Sequence, residues 1–277
     1  MSADYGDDLY LALQLADVAD AVALSRFRAI DLRVATKPDR SPVTEADTAV
    51  EDAIWAEVAR QRPDDARYGE ESGSVGGVRG RCWVLDPIDG TANYLRGVPI
   101  WATLIRLVVD GVPVVGVASA PALGRRWWAH PGGSWTSDVD GGLRQLRVSA
   151  VTEMADASVS YSDFLGWPAV AEDSLARLTD GVWRTRGYGD FWSHLLVAEG
   201  AVDIGAEPSL MPWDVAALVP IVEQAGGRVT GVDGGPVLQI VGDDLVVGCG
   251  ALSTNGALSG PAVRRILGRE ASAAARR

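Results

Sequence analysis

Apolar residues near the start of the chain recur at the spacing of a helix. Leu11, Leu15, Val18 and Val22 follow one another at intervals of three and four residues, which places them on one helical face. This pattern predicts a helix over residues 8–27.

A second helix is predicted to open at Thr44 and to end before Pro63. Within it Val50, Ile54 and Val58 are spaced by four residues and share one face. The stretches on either side, 33–43 and 73–80, are predicted as loops because they are rich in proline and glycine respectively.

From residue 81 the pattern changes to short β-strands. Asp110-Gly111 lies between two apolar runs, which is a strong hairpin signal. Pro131-Gly132-Gly133 predicts a second hairpin in the same way. The predicted strands of this part are 81–85, 101–109, 112–120, 126–130, 134–137, 143–149 and 158–162.

In the second half of the chain, predicted strands alternate with predicted helices. The strands are 182–186, 201–206, 228–232 and 245–248, and the helices are 191–200, 215–225 and one that begins at Pro261. The pattern indicates an α+β protein in stacked layers. No linker is long or biased enough to separate domains, so we expect a single domain over 1–277, with two closely packed lobes at about 1–150 and 151–277.

Composition narrows the class of protein. The formal net charge is −12, which argues against a nucleic-acid binder, because such proteins usually carry a basic surface. No apolar run approaches the roughly 20 residues of a membrane span, so no membrane partner is expected. The N-terminus lacks the basic-then-apolar pattern of a secretory signal, and a cytoplasmic location is therefore expected. The two cysteines support no disulfide framework.

The strongest chemical signal lies where a predicted apolar strand runs into two acids, Asp86 and Asp89. Pro87 stiffens the bend between them, Gly90 permits close backbone approach, and Thr91 offers a hydroxyl. Carboxylates that converge at a strand end suit a hard cation, and the start of a helix near Gly90 would present N–H groups to a phosphate. The alternative is a polar turn in which Asp89 caps a helix.

Two other acidic positions add to this signal. Glu70-Glu71 lies in a predicted loop, and Asp214 stands at a predicted helix start. On their own, the first pair is also typical of a solvated turn and Asp214 of an N-cap. Thr44 and Asp47 have the spacing of a capping box, with Asp in place of the usual Glu.

Together these motifs resemble the inositol monophosphatase family of metal-dependent, lithium-sensitive phosphatases. The resemblance spans nearly the whole chain, and its core is the Asp-Pro-Ile-Asp-Gly-Thr string. It implies a layered αβαβα sandwich, a homodimer, and two or three Mg²⁺ ions per active site that act on a small phosphate ester. The matching segments are Pro42 to Asp47, Gly69-Glu70-Glu71, Trp83 to Thr91, and Trp213 to Ala217.

The resemblance also implies roles for individual residues. Glu70, Asp86 and the Ile88 carbonyl would hold a first Mg²⁺; Asp86, Asp89 and Asp214 would hold a second; Glu70 would share in a weaker third site. Asp47 and Thr91 would orient the attacking water, and the backbone at Gly90 and Thr91 would receive the phosphate. The expected substrate-binding residues are Glu70, Ile88, Asp89, Gly90, Thr91, Arg186, Asp190, Glu207 and Asp214.

Segments 96–105, 119–128, 183–192 and 197–208 resemble the histidinol-phosphate phosphatase branch of this family, of the actinobacterial type. Histidinol carries an ammonium group, and Asp190 and Glu207 are the candidate acids to attract it. Arg186 is expected to contact phosphate or to support the pocket. Asp190 has the alternative interpretation of a turn residue before the helix at 191–200.

The chain also departs from that branch. Ala92 stands where Lys is usual, Ser72 stands where Phe is usual, and the segment 234–250 lacks a Pro-His-Gly pattern. None of these departures falls on an expected metal ligand.

Two other functions remain open. One is an inositol-1-phosphate or broad sugar-phosphate phosphatase, whose pocket needs hydroxyl partners rather than an ammonium site. The other is a non-catalytic binding protein built on the same fold, which the intact acidic set argues against. His130 and His194 lie outside the motifs and are predicted to serve packing or the surface.

Overall fold

The computed structural model describes residues 5–38 and 41–269. Its helices are α1 Gly6–Arg26, α2 Glu45–Gln61, α3 Thr91–Leu95, α4 Trp167–Val170, α5 Ser174–Thr179, α6 Asp190–Ala198, α7 Pro212–Ala216, α8 Leu218–Gln224 and α9 Ser259–Ile266. Its strands are β1 Val34–Thr36, β2 Pro42–Thr44, β3 Ala66–Gly69, β4 Gly73–Val75, β5 Arg81–Asp89, β6 Ala102–Val109, β7 Val112–Ala120, β8 Arg125–His130, β9 Gly133–Ser137, β10 Leu143–Gln145, β11 Ser158–Ser160, β12 Arg184–Arg186, β13 Ile204–Glu207, β14 Arg228–Thr230, β15 Leu238–Val241, β16 Asp244–Val247 and β17 Ala251–Thr254.

The larger sheet has eight strands in the order β10-β9-β8-β7-β6-β5-β3-β4. Neighbouring strands are antiparallel except for β3 and β5, which run parallel. One face is covered by α1 and α2, whose apolar stripes pack on side chains such as Trp83 and Ile105. The other face is covered by α6, α7 and α8, with Trp127 and Phe191 at the contact.

The smaller sheet has five strands in the order β12-β11-β13-β17-β14. Helices α6 and α8 lie on its inner face, and α4, α5 and α9 enclose a separate apolar cluster on its outer face. The layers therefore run helix, sheet, helix, sheet, helix. The predicted αβαβα fold is confirmed.

The course of β5 determines where the site lies. The strand does not stop at Leu85 as predicted but continues to Asp89, and its register against β6 shifts between Asp86 and Asp89. In a regular strand, residues three apart face opposite sides. An irregularity of this kind adds a residue on one strand, so that both carboxylates turn to the same side.

Several shorter elements differ from the predictions. The predicted loop 33–43 contains the hairpin β1–β2, the predicted loop 73–80 contains β4, and the helix predicted over 215–225 is two helices that begin at Pro212. The terminal helix begins at Ser259, before Pro261. Helices α4 and α5 and strands β15 and β17 were not predicted, because each is short; the partners of β17, β13 and β14, are also distant in sequence.

The remaining expectations concern membrane spans, the two cysteines and the division into lobes. Within residues 5–38 and 41–269, no helix combines the length and the apolar character needed to cross a membrane. Cys82 is buried and Cys249 is partly buried, and both are free thiols. The division into two lobes near residue 150 stays a prediction.

Candidate active site

Three carboxylates from two elements meet at one end of β5. Oxygen atoms of Asp86, Asp89 and Asp214 all lie within 4.8 Å of one another. Asp214 is in the first turn of α7, where its Oδ2 accepts the Met211 N–H at 2.7 Å. Met211, and not Asp214, is the N-cap residue, so Asp214 supports the helix start and faces the other two acids at the same time.

Glu51, on helix α2, holds the Gly-Glu-Glu loop (residues 69–72) in place. This buried carboxylate accepts the backbone N–H of Glu71 at 3.0 Å and that of Ser72 at 2.7 Å. A Cβ at Gly69 would lie 2.6 Å from Glu51 Oε1, so only glycine allows the strand to pass so close to the carboxylate. The glycine and Glu51 together determine where Glu70 stands.

Lys37 reaches this loop from the hairpin β1–β2. Its Nζ lies 2.5 Å from Glu70 Oε1 and 2.7 Å from Glu71 Oε1. Burial works against the charge of the lysine, but its hydrogen bonds with the two glutamates raise its pKa above the ordinary value. The single lysine of the chain therefore neutralises part of the acidic site.

Asp47 and Thr91 form a hydrogen-bonded pair behind the carboxylates. Asp47 Oδ2 accepts the backbone N–H of Thr44 at 2.8 Å and its hydroxyl at 2.6 Å, which confirms the predicted capping box. Asp47 Oδ1 lies 3.3 Å from the Thr91 hydroxyl, which is also 2.9 Å from the carbonyl oxygen of Ile88. The same aspartate thus caps α2 and contacts the site.

The carboxylates open into a cavity of about 520 Å³. Seven of its lining residues are acidic, and none of the described lining residues is Lys, Arg or His. Among them are nine of the predicted site residues: Glu70, Asp86, Ile88, Asp89, Gly90, Thr91, Asp190, Glu207 and Asp214. Asp47 lies behind Thr91. Arg186 is exposed and outside the lining, where its guanidinium donates to the carbonyl of Thr185.

Ser162 joins two more acids that line the same cavity. Its hydroxyl donates to Glu207 Oε1 at 2.6 Å and accepts the backbone N–H of Asp190 at 2.9 Å. Asp190 opens α6 with a φ of 48°, and its Oδ2 accepts the Asn93 amide at 3.0 Å. It is therefore both the predicted turn residue and part of the cavity wall.

The metal-side cluster and this acidic wall are connected by α6. Asp89 Oδ2 accepts the backbone N–H of Phe191 at 2.8 Å, so Asp89 stabilises the first turn of that helix while it faces Asp86. The helix that directly follows Asp89, α3, has Gly90 as its N-cap and no side-chain cap, so Asp89 supports a helix distant in sequence instead of the adjacent one.

Burial is the main cause of the unusual acidities in the cavity. It raises the pKa of Asp86 and Asp89 well above the ordinary range, and nearby carboxylates raise them further. For the same reasons the pKa of Asp190 is about 6, that of Asp214 about 7 and that of Glu207 about 8. Like charges at this spacing repel until a cation neutralises them. A donor set made only of oxygen atoms fits a hard divalent cation.

The residue-by-residue predictions missed several contributors to the site. Lys37 and Glu51 act on the Gly-Glu-Glu loop from distant elements, and Ser162 and Asp163 line the cavity from the end of β11. Only Lys37 carried a signal, as the one lysine in the chain.

The structure shows where the three departures from the histidinol-phosphate phosphatase branch lie. Ala92 is on the exposed side of α3 and does not line the cavity. The Ser72 hydroxyl accepts the Trp55 Nε1–H at 3.2 Å. The segment 234–250 contains the hairpin β15–β16.

Both histidines have packing roles, as predicted. His194 is buried in α6, where its Nδ1 lies 2.8 Å from the Ser253 hydroxyl, and burial lowers its pKa to about 4. His130 stacks on Trp135 at a ring distance of 5.2 Å. Neither histidine lines the acidic cavity.

Comparisons with known proteins agree with this geometry. The model of the "Inositol monophosphatase family" matches residues 6–264. A histidinol-phosphatase of Mycobacterium tuberculosis is 51% identical over 263 residues, which covers 94% of this chain and 98% of that protein. A histidinol-phosphatase of Streptomyces coelicolor is 54% identical over 239 residues, or 84% and 90% of the two chains. The solved structure of an inositol monophosphatase from Zymomonas mobilis superposes with a TM-score of 0.79 at 31% identity and covers 96% of this chain and 99% of its own.

Proposed function

The chain belongs to the inositol monophosphatase family, and on that basis we propose that it hydrolyses histidinol phosphate to histidinol and phosphate with Mg²⁺ as cofactor. The observation that carries the proposal is one acidic cavity whose lining combines the carboxylate cluster of Asp86, Asp89 and Asp214 with two further acids, Asp190 and Glu207. Relatives that are more than half identical and are named histidinol-phosphatase support the choice of substrate.

The carboxylate cluster is the proposed metal site. Glu70, Asp86, Asp89, Asp214 and the Ile88 carbonyl would hold two or three Mg²⁺ ions. Bound there, the ions would supply positive charge to the phosphate and lower the pKa of a water molecule. Phosphoryl transfer depends mainly on positioning and charge neutralisation, and this donor set provides both.

Asp47 and Thr91 are the proposed catalytic pair. Two donors from Thr44 hold Asp47 Oδ2, so Oδ1 is the oxygen directed to Thr91. Burial raises the pKa of Asp47, which makes it a better proton acceptor than an exposed aspartate. The Thr91 hydroxyl, oriented by Asp47 and the Ile88 carbonyl, would hold the attacking water and pass its proton towards Asp47.

The backbone at Gly90 and Thr91 is the proposed seat of the phosphate. Gly90 has a φ of 81° and precedes α3, so a substituted residue there would be strained. The phosphate would then lie between the metal ligands and the first turn of α3. Arg186 lies outside the cavity lining and has no part in this arrangement.

Asp190 and Glu207 are proposed to receive the ammonium end of histidinol. Both line the cavity, both are joined through Ser162, and no basic residue among the described lining residues competes for them. Their pKa values are raised by burial, so a cationic substrate would favour their ionised forms as it binds.

The test is phosphate release by the full-length protein with Mg²⁺ from histidinol phosphate, inositol-1-phosphate and fructose bisphosphate. We expect kcat/KM for histidinol phosphate to exceed the others by roughly tenfold or more, since one charge-assisted contact contributes that much. A preference for inositol-1-phosphate would overturn the assignment of histidinol phosphate as substrate but leave the proposed phosphatase activity standing. No release from any ester would support the non-catalytic alternative. We further propose that the protein is a homodimer, which a size measurement in solution tests, and that it is cytoplasmic, which cell fractionation tests.

A further inference from the structure

A second cavity lies at the other end of the parallel strands β3 and β5. Its volume is about 530 Å³, similar to that of the catalytic cavity. It is bordered by the end of α2, the turn that leads into β3, and the glycine-rich stretch 73–80 before β5. The catalytic cavity begins where these strands end, so the two cavities lie at opposite ends of the same pair of strands.

Four arginines line this second cavity, which is unusual in a chain of net charge −12. Two of them have buried partners. Arg62 and Arg81 both pair with Asp8, at 3.2 and 2.7 Å, and Arg81 also pairs with Asp65 at 3.0 Å. These ion pairs hold Arg62 and Arg81 in the cavity wall and neutralise most of their positive charge, so little of it is available to a ligand.

The other two arginines are not neutralised in this way. In the described part of the chain, no carboxylate lies within 4.0 Å of the Arg67 guanidinium, which packs over the ring of Trp55 at 5.9 Å. Arg79 pairs with the Asp243 carboxylate at 3.3 Å, and its Nη2 donates to the Gly242 carbonyl at 3.2 Å; the side chains of Arg79 and Asp243 are both more than 70% exposed. An exposed ion pair of this kind contributes little to stability, so another anion can readily take the place of Asp243 beside Arg79.

The remaining lining suits a small organic body. Val58, Pro63, Ala66 and Val75 contribute apolar surface, and Gly76 closes the floor, where a Cβ would lie 3.1 Å from the Ala66 Cβ. Such a mixture of apolar wall and a few charged donors is typical of small-molecule sites.

Asp64 is the one further acid on the lining. It is exposed and makes no ion pair among the described residues. It therefore lies at the rim, where solvent screens its charge.

We propose that this second cavity binds a small organic anion through its phosphate or carboxylate group, held by Arg67 and Arg79. Guanidinium groups present paired N–H donors that match either anion. The proposal does not rest on the phosphatase activity, because a binding measurement tests it directly.

The experiment is calorimetric titration of the full-length protein with inorganic phosphate and, separately, with succinate, at constant ionic strength in chloride. EDTA is present so that the catalytic carboxylates hold no metal that would attract the anions. We expect saturable binding of one anion per chain. Arg67→Gln and Arg79→Gln should each weaken it roughly tenfold. The stronger of the two anions identifies whether the natural ligand carries phosphate or carboxylate.

Arg60→Gln is the matched control. It removes the same charge from α2 next to the cavity, but Arg60 does not line it and pairs with Glu57. Since Arg79 is highly exposed, its variant should fold normally even if loss of the Arg67–Trp55 contact lowers stability. If neither phosphate nor succinate gave saturable binding, the proposal would be overturned. The same holds for equal losses in all three variants, or for binding that neither the Arg67 nor the Arg79 variant weakens.

Discussion

A single added methyl group at Gly69 tests whether the loop that carries Glu70 is held by Glu51. The Gly69 backbone has no positive φ, so Ala is allowed there and only the contact changes. The new Cβ would lie 2.6–2.7 Å from three atoms of the Glu51 carboxylate. That group is fully buried and must retreat by about 0.8 Å to restore an ordinary 3.4 Å contact.

The cost follows from the contacts that the retreat disturbs. Glu51 would lose or lengthen its hydrogen bonds from the N–H groups of Glu71 and Ser72, and overpacking alone costs about 1–3 kcal/mol. We therefore expect Gly69→Ala to lower the free energy of unfolding by about 2–4 kcal/mol. A displacement of Glu70 near 1 Å should lower kcat/KM by up to about 100-fold.

The assay combines urea unfolding with steady-state phosphate release over a range of Mg²⁺ concentrations. Gly260→Ala, on the distant helix α9, is the control and should leave kcat/KM unchanged. The double variant Gly69→Ala with Glu51→Ala should be no worse than Glu51→Ala alone, because the atoms that clash are then absent. If Gly69→Ala kept kcat/KM within about twofold and lost less than about 1 kcal/mol, the rigid contact between Gly69 and Glu51 would be refuted.

Four further measurements test the rest of the site. EDTA should abolish phosphate release and Mg²⁺ should restore it, whereas full activity in a verified metal-free preparation would exclude the metal mechanism. Asp86→Asn should lose nearly all activity because its carboxylate neighbours those of Glu70, Asp89 and Asp214, while well-folded His130→Ala and His194→Ala should keep most of theirs; the reverse pattern would overturn the site. Asp190→Asn should reduce kcat/KM for histidinol phosphate roughly ten- to a hundredfold more than for an ester without an amine, and equal losses would remove it from substrate recognition. Burial raises the pKa of Glu207 from 4.5 to about 8, so between those values the folded metal-free protein holds a proton that the unfolded chain has released. Its free energy of unfolding in EDTA should therefore fall as pH rises from about 5 to 8, and an equally steep fall in Glu207→Gln would contradict this cause.

Local patterns in the sequence were enough to predict much of the fold. Helices α1 and α2 and the hairpins β6–β7 and β8–β9 follow from apolar spacing and turn residues, because neighbours in the sequence decide those structures. Strand β17 was missed because its short Ala-Leu-Ser-Thr run has no clear period. It becomes a strand through pairing with β13 on one side and β14 on the other.

The sequence by itself determined which carboxylates are proposed to hold the metal, since Asp86, Asp89 and Asp214 stand in specific short motifs. Only the tertiary structure decided how they act. The irregular register of β5 turns Asp86 and Asp89 to one side, and Asp89 meets Phe191, a residue 102 positions away.

The supports of the site belong wholly to the tertiary structure. Glu51 lies beneath Gly69, Lys37 reaches Glu70 across 33 residues, and Ser162 bonds Glu207 across 45. These side chains stand in no motif, because a buried carboxylate or hydroxyl acquires its role from the partner that packing places beside it. Arg186 shows the converse, since its sequence context predicted a pocket residue and the end of β12 places it in solvent.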